Sequence, residues 1–152
     1  MDKKIAILVR AGLPFSKPVF YGVERARETG AKLVLIGVVP DLDTSRMVAL
    51  SIHEFGPYDA ISGRLEHETR EFLERVVQFC LDNGITADTR IEKGGIEEIV
   101  TQVVKDRSVK LVVVPTPKTA EHHSEFLDAI THFAHELIDN ELRCPVVSVL
   151  AT

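Results

Sequence analysis

Lys110-Leu-Val-Val-Val-Pro-Thr-Pro-Lys-Thr119 is a short apolar run that ends abruptly in two prolines. Leu111–Val114 has the length and β-branched content of a strand buried on both faces. Pro115 and Pro117 then bring in turn chemistry. Four other runs read as strands. Ile5–Val9 ends in Arg10-Ala-Gly-Leu-Pro14, Leu33–Val39 ends in Pro40-Asp41, and Val146–Leu150 closes the chain. Ile85–Ile91 alternates polar and apolar residues, as an edge strand does.

Helical patterns separate these strands. Ser16 is expected to cap a first helix, with Pro18 in its first turn and Val19, Phe20, Val23 and Ala26 on its apolar side. Gly30 is its expected stop. A long helix from about Tyr58 carries Ile61, Leu65, Phe72, Leu73, Val76, Val77 and Cys80 on one side and ends at Gly84. Gly94-Gly95 opens a helix striped by Ile96, Ile99, Val100, Val103 and Val104. Glu97-Glu98 in its first turn suit the helix dipole. Phe126, Leu127, Ile130, Phe133, Ala134, Leu137 and Ile138 line a further helix. Met47–Phe55 reads as a short helix or flap. Strands alternating with helices of this length predict right-handed crossovers, hence an α/β fold: a three-layer, doubly wound, five-stranded parallel sheet of order 3-2-1-4-5. The expected domain spans residues 1–152, long enough to bury a full core.

The net charge of −5 comes without a basic run. Phosphate backbones are held by clustered Lys and Arg, so nucleic acid is not an expected partner. The N-terminal apolar run is too short for a signal core or a membrane span, and no membrane insertion is expected. Cys80 and Cys144 form no Cys-x-x-Cys pair, so free, buried thiols in a cytoplasmic protein are expected. His132 and His135 could share a helical face, and His122-His123 stand beside Glu121 and Glu125, but no third ligand is visible and no metal is expected. No Gly-x-Ser-x-Gly elbow appears, and nothing assembles a nucleophile, base and oxyanion donor.

A doubly wound sheet has its crevice where strand order reverses, outside the carboxyl ends of the strands. In the predicted order that is between strands one and four. The candidate lining residues are Arg10, Gly12, Lys17, Val39, Thr116, Lys118 and Thr119. Arg10, Lys17 and Lys118, with the hydroxyls of Thr116 and Thr119, form either a cationic pocket for a small anion or solvated loop charge. Thr119 or Ser124 is an alternative helix cap.

The order and spacing of Lys4-Ile5, Gly94, Val112-Val-Val114 and Cys144-Pro-Val-Val147 resemble the universal stress protein family over essentially the whole length. The resemblance implies the sheet just derived, of the adenine-nucleotide alpha hydrolase-like type. It implies a homodimer through the last strand, and in many members ATP. ATP-binding members carry an Asp after strand one, Gly-x-x-Gly after strand four, and Gly-Ser or Gly-Thr at the next helix start. Here the Asp position falls on Arg10 or Ala11, the two glycine positions on Pro115 and Lys118, and the Gly-Ser position near His132-Phe133. Proline has no N–H to offer a phosphate. No ATP cofactor held in the family manner is therefore expected. The expected protein is a non-enzymatic stress-response or regulatory module. It would act through a homodimer built on Val146–Leu150 and through an unidentified protein partner, with Met47–Phe55 supplying adaptable surface. The alternative is a ligand sensor with a rebuilt crevice.

Overall fold

A computed structural model describes residues 3–39, 58–116 and 144–151. Five strands form one parallel sheet: β1 (Lys4–Val9), β2 (Lys32–Val39), β3 (Ala87–Lys93), β4 (Val109–Thr116) and β5 (Val146–Leu150). Their spatial order is β3-β2-β1-β4-β5, as the alternation of elements predicts. Three helices are described: α1 (Ser16–Thr29), α2 (Tyr58–Asp82) and α3 (Ile96–Val104). None is long and apolar enough to cross a membrane. The helix expected around Phe126–Ile138 and the Met47–Phe55 segment lie outside the described residues.

The core has two halves, one on each face of the sheet. Ile5, Ile7, Val9, Leu33, Leu35 and Val113 face α1 and α2, against Val19, Val23, Phe72, Leu73, Val76 and Cys80. Ala6, Leu8, Val34, Ile36, Val112 and Val114 face α3, against Ile99, Val100, Val103 and Val104. Successive strand residues point to opposite faces, so a strand covered on both sides must be apolar throughout. That is why Ile5–Val9 are all buried. β3, at the sheet edge, is mostly exposed: Asp88, Thr89, Arg90 and Lys93 face solvent and none of its residues is fully buried.

Several boundaries differ from the sequence reading, each for a local reason. Ser16 is not the cap of α1. It is the first helical residue, preceded by Phe15, which makes no side-chain cap bond. Phe15 instead packs edge-on against the rings of Phe72 and Phe79. Phe20, assigned to the apolar side of α1, is 46% exposed. β3 starts at Ala87 rather than Ile85, because the Ile85 amide is used in closing α2, donating to the Cys80 carbonyl at 3.0 Å. β4 extends past Val114 to include Pro115 and Thr116. Gly30 closes α1 as expected: at φ 72° its amide donates to the Ala26 carbonyl at 2.8 Å.

Cys80 is fully buried and Cys144 half-buried, and both thiols are free. Burial pushes the Cys80 thiol up to about 11. Burial also raises Cys144, opposed by the nearby charge of Lys110. Loss of solvation disfavours the thiolate in both cases.

Gly37 in β2 sets how closely α2 approaches the sheet. A Cβ there would lie 2.7 Å from Thr69 Cγ2 and 2.9 Å from Leu73 Cδ1, both buried side chains. Gly37→Ala is expected to overpack this contact and destabilise the fold by about 1–3 kcal/mol, read as a lower urea midpoint at unchanged m-value.

Candidate functional site

The strand registers draw the crevice directly. β1 pairs with β4 only as far as Ile7 opposite Val113. Beyond that point β1 continues beside β2 through Val9 opposite Gly37, and β4 continues beside β5 through Thr116 opposite Leu150. The two central strands therefore part at their carboxyl ends, where strand order reverses.

Arg10 and Gly12 follow β1 directly. Arg10 is exposed, and its carbonyl accepts from the Leu13 amide at 3.1 Å, which folds the chain into a tight turn. Gly12 has φ 93°, a backbone conformation that side chains resist. Val39 ends β2 fully buried, and its carbonyl accepts from the Gly94 amide at 3.0 Å. Thr116 ends β4 and is only 3% exposed. Its hydroxyl is hydrogen-bonded to the hydroxyl of Ser148 in β5, and its carbonyl accepts from the Ala151 amide at 2.8 Å. Lys17 is exposed on the first turn of α1. It borders a groove that also takes in Phe20, Tyr21, Phe79 and Val149. Lys118 and Thr119 lie outside the described residues.

The strand ends thus bring Arg10, Gly12, Val39 and Thr116 to one end of the sheet. Lys17 belongs to the flank of α1 beside β5. The Thr116–Ser148 bond was not foreseen, because it joins residues 32 apart in sequence. Only the β4–β5 register brings them together.

Pro115 occupies a telling position. In a parallel strand, neighbouring residues present their backbone N–H and C=O groups to opposite sides. The Val112 amide donates to the Pro145 carbonyl on the β5 side, at 3.0 Å. Three residues later, the Pro115 nitrogen lies on the other edge, towards β1. β1 has already turned away there, so the ladder loses no bond to proline. The crevice-facing nitrogen at the end of β4 carries no hydrogen.

Among the described residues no group of His, Cys, Asp or Glu is placed to hold a metal ion. His67 is exposed and pairs with Glu71 at 3.0 Å. His53, His122, His123, His132 and His135 lie outside the described residues.

No protein-family model matches the sequence, and no curated protein matches it. Solved structures do match. A protein of the universal stress protein family from Burkholderia pseudomallei is 18% identical, with a TM-score of 0.64 over 97% of this chain and 95% of that one. The universal stress protein UspA from Lactobacillus plantarum is 16% identical, with a TM-score of 0.64 over 98% and 99%. The universal stress protein from Archaeoglobus fulgidus in complex with dAMP is 12% identical, with a TM-score of 0.60 over 97% of each chain. The fold is that of the universal stress proteins. The sheet order expected from the resemblance is the one observed. Within this universal stress protein fold, the β1–β4 divergence is flanked by the turn at Arg10–Leu13 and the partly buried Thr116–Ser148 hydroxyl pair.

Thr116→Val is expected to strand the Ser148 hydroxyl in a partly buried site and cost about 1–3 kcal/mol in chemical denaturation. Adding Ser148→Ala is expected to recover part of that loss, the non-additive result that a direct bond requires.

Proposed function

We propose that this chain is a non-enzymatic regulatory protein of the universal stress type. In this reading it acts in the cytoplasm through homodimerisation and protein contacts, and it does not hold ATP in the manner of the family's nucleotide binders. The observation that carries the reading is the proline at the crevice-facing edge of β4. A triphosphate is gripped chiefly by backbone N–H groups that can approach its oxygens closely. Pro115 supplies none. The neighbouring hydroxyl, that of Thr116, is already engaged with Ser148.

Calorimetry with Mg·ATP is expected to give no heat of saturable binding at micromolar protein. Stoichiometric, micromolar capture of ATP would overturn the reading. Its rival is the ligand sensor, favoured by the dAMP complex of the Archaeoglobus fulgidus protein and by exposed Arg10 at the mouth of the crevice. A thermal-shift panel of AMP, dAMP, ATP and inorganic phosphate separates the two. A ligand that binds only the native state raises the melting temperature.

The dimer is assigned to β5 because the two sheet edges differ in chemistry. β3 presents Asp88, Arg90 and Glu92, with Arg90 and Glu92 paired at 2.9 Å. Charges of this kind blunt an edge against pairing. β5 reads Val-Val-Ser-Val-Leu and carries no charge. Exposed apolar groups flank it: Leu150 at 43% on the strand itself, and Phe20 on α1 across the groove from Val149. An uncharged apolar edge strand is covered most simply by its own copy in an isologous pair.

Ala151 donates towards β4, so the amides of Val146, Ser148 and Leu150 point outward by the same alternation. Leu150→Pro removes one outward donor and leaves every bond to β4 intact. Sedimentation equilibrium is expected to show a dimer for the native chain and at least tenfold weaker association for Leu150→Pro. A native chain that stays monomeric at every concentration would remove β5 as a self-association edge.

A further inference from the structure

At the opposite end of the sheet from the crevice, the face that carries α3 has a depression lined by residues of β1, β2, β3 and α3. A cavity of about 130 Å³ lies there. At roughly 30 Å³ per water it has room for about four waters, or for one small organic molecule. Its floor is apolar: Ala6 and Val34 are register partners on β1 and β2, with Ile36 beyond and Val103 of α3 as a wall. The methyl of Ala6 is the smallest side chain of that floor and leaves the depression.

The rim is charged, with both signs on two sides. Lys4 and Asp106 stand on one side and Asp88 and Arg90 on the other. Asp88 lies next to Val34 and Arg90 next to Ile36 in the β2–β3 register, so these two charges stand one strand-width from the floor. Asp88 makes no ion pair or hydrogen bond among the described residues. The Lys4–Asp106 contact is long, at 3.7 Å, and both partners are more than a third exposed. The Arg90–Glu92 pair is likewise on the surface. Surface pairs of this kind contribute little and exchange readily for another partner. Ser108 donates to Asp106 through its amide and its hydroxyl, which holds the Asp106 carboxyl below its usual range.

We propose that this cavity binds a small zwitterion: an α-amino acid with a short aliphatic side chain. Its ammonium group meets Asp88, its carboxylate meets Arg90 and Lys4, and its side chain rests on Ala6, Val34 and Val103. A ligand of one sign would satisfy only half of the rim. A larger one would exceed the volume. The site shares no residue with the crevice between β1 and β4, so it stands or falls independently of the nucleotide question.

The test is a titration of ¹⁵N-labelled full chain with L-alanine and L-valine, followed by amide chemical shifts. Saturable shifts are expected at Ala6, Val34, Asp88, Arg90 and Val103. Propionate and ethylamine, each carrying one of alanine's two charges, are expected to bind at least tenfold more weakly. Asp88→Asn and Arg90→Gln are expected to weaken binding by roughly ten- to a hundredfold, the usual loss for a charge-assisted bond. Both residues are exposed on the edge strand, so a retained native spectrum verifies the fold of each variant. Shifts that do not saturate, that fall elsewhere, or that propionate or ethylamine reproduces at equal affinity would overturn the assignment. So would full affinity in either variant.

Discussion

β1 is the strand on which the molecule depends. It pairs with β2 along one edge and with β4 along the other, and Ile5–Val9 are buried on both faces. Fully burying each large aliphatic side chain contributes about 1.5–3 kcal/mol. The α1–α2 layer rests on its odd-numbered residues and the α3 layer on Ala6 and Leu8. Where its pairing with β4 ends, at Ile7 and Val113, the crevice begins. The scaffold and the site are consequences of the same ladder.

That ladder also joins the crevice to the sheet edge. The last residues of β4 have lost β1 and keep β5 as their neighbour, and the Thr116 and Ser148 side chains are bonded across that pairing. A residue at the mouth of the crevice and a residue of the outermost strand are therefore directly bonded. Pro115 fits in the same place for the same reason. A proline is tolerated in a strand where its missing donor faces no partner, and the departure of β1 provides that condition. The structural tolerance and the lost ligand donor are two aspects of one backbone position.

Charge is placed with similar economy. The ion pairs of α1 and α2 are exposed contacts three or four residues apart, such as Arg25–Glu28 and Arg70–Glu66. Each contributes only tenths of a kcal/mol, so they keep helix surfaces solvated more than they hold the fold together. On β3 the same residue types do something different, since an edge strand bearing Asp, Arg and Glu is a poor template for another chain. The strand at the opposite edge, Val146–Leu150, carries no charged residue. The sheet is asymmetric in the property that governs association: β3 bears charges and β5 bears none.

The sequence by itself determined the element order, the parallel sheet and the apolar halves of the core. Runs buried on both faces, helical stripes and glycine stops such as Gly30 are local patterns set by backbone and burial periodicity. It also named Arg10, Gly12, Val39 and Thr116 as neighbours of the crevice, because strand ends are local features. Tertiary structure decided the rest. Phe15 took the position before the helix that Ser16 was expected to hold, because its ring packs edge-on against Phe72 and Phe79, more than fifty residues away. Phe20 lies outside the core because its side of α1 borders the groove beside Val149 at the sheet edge. Thr116 bonded to Ser148, and Pro115 became part of a strand, because register and the parting of β1 from β4 exist only once the sheet has assembled.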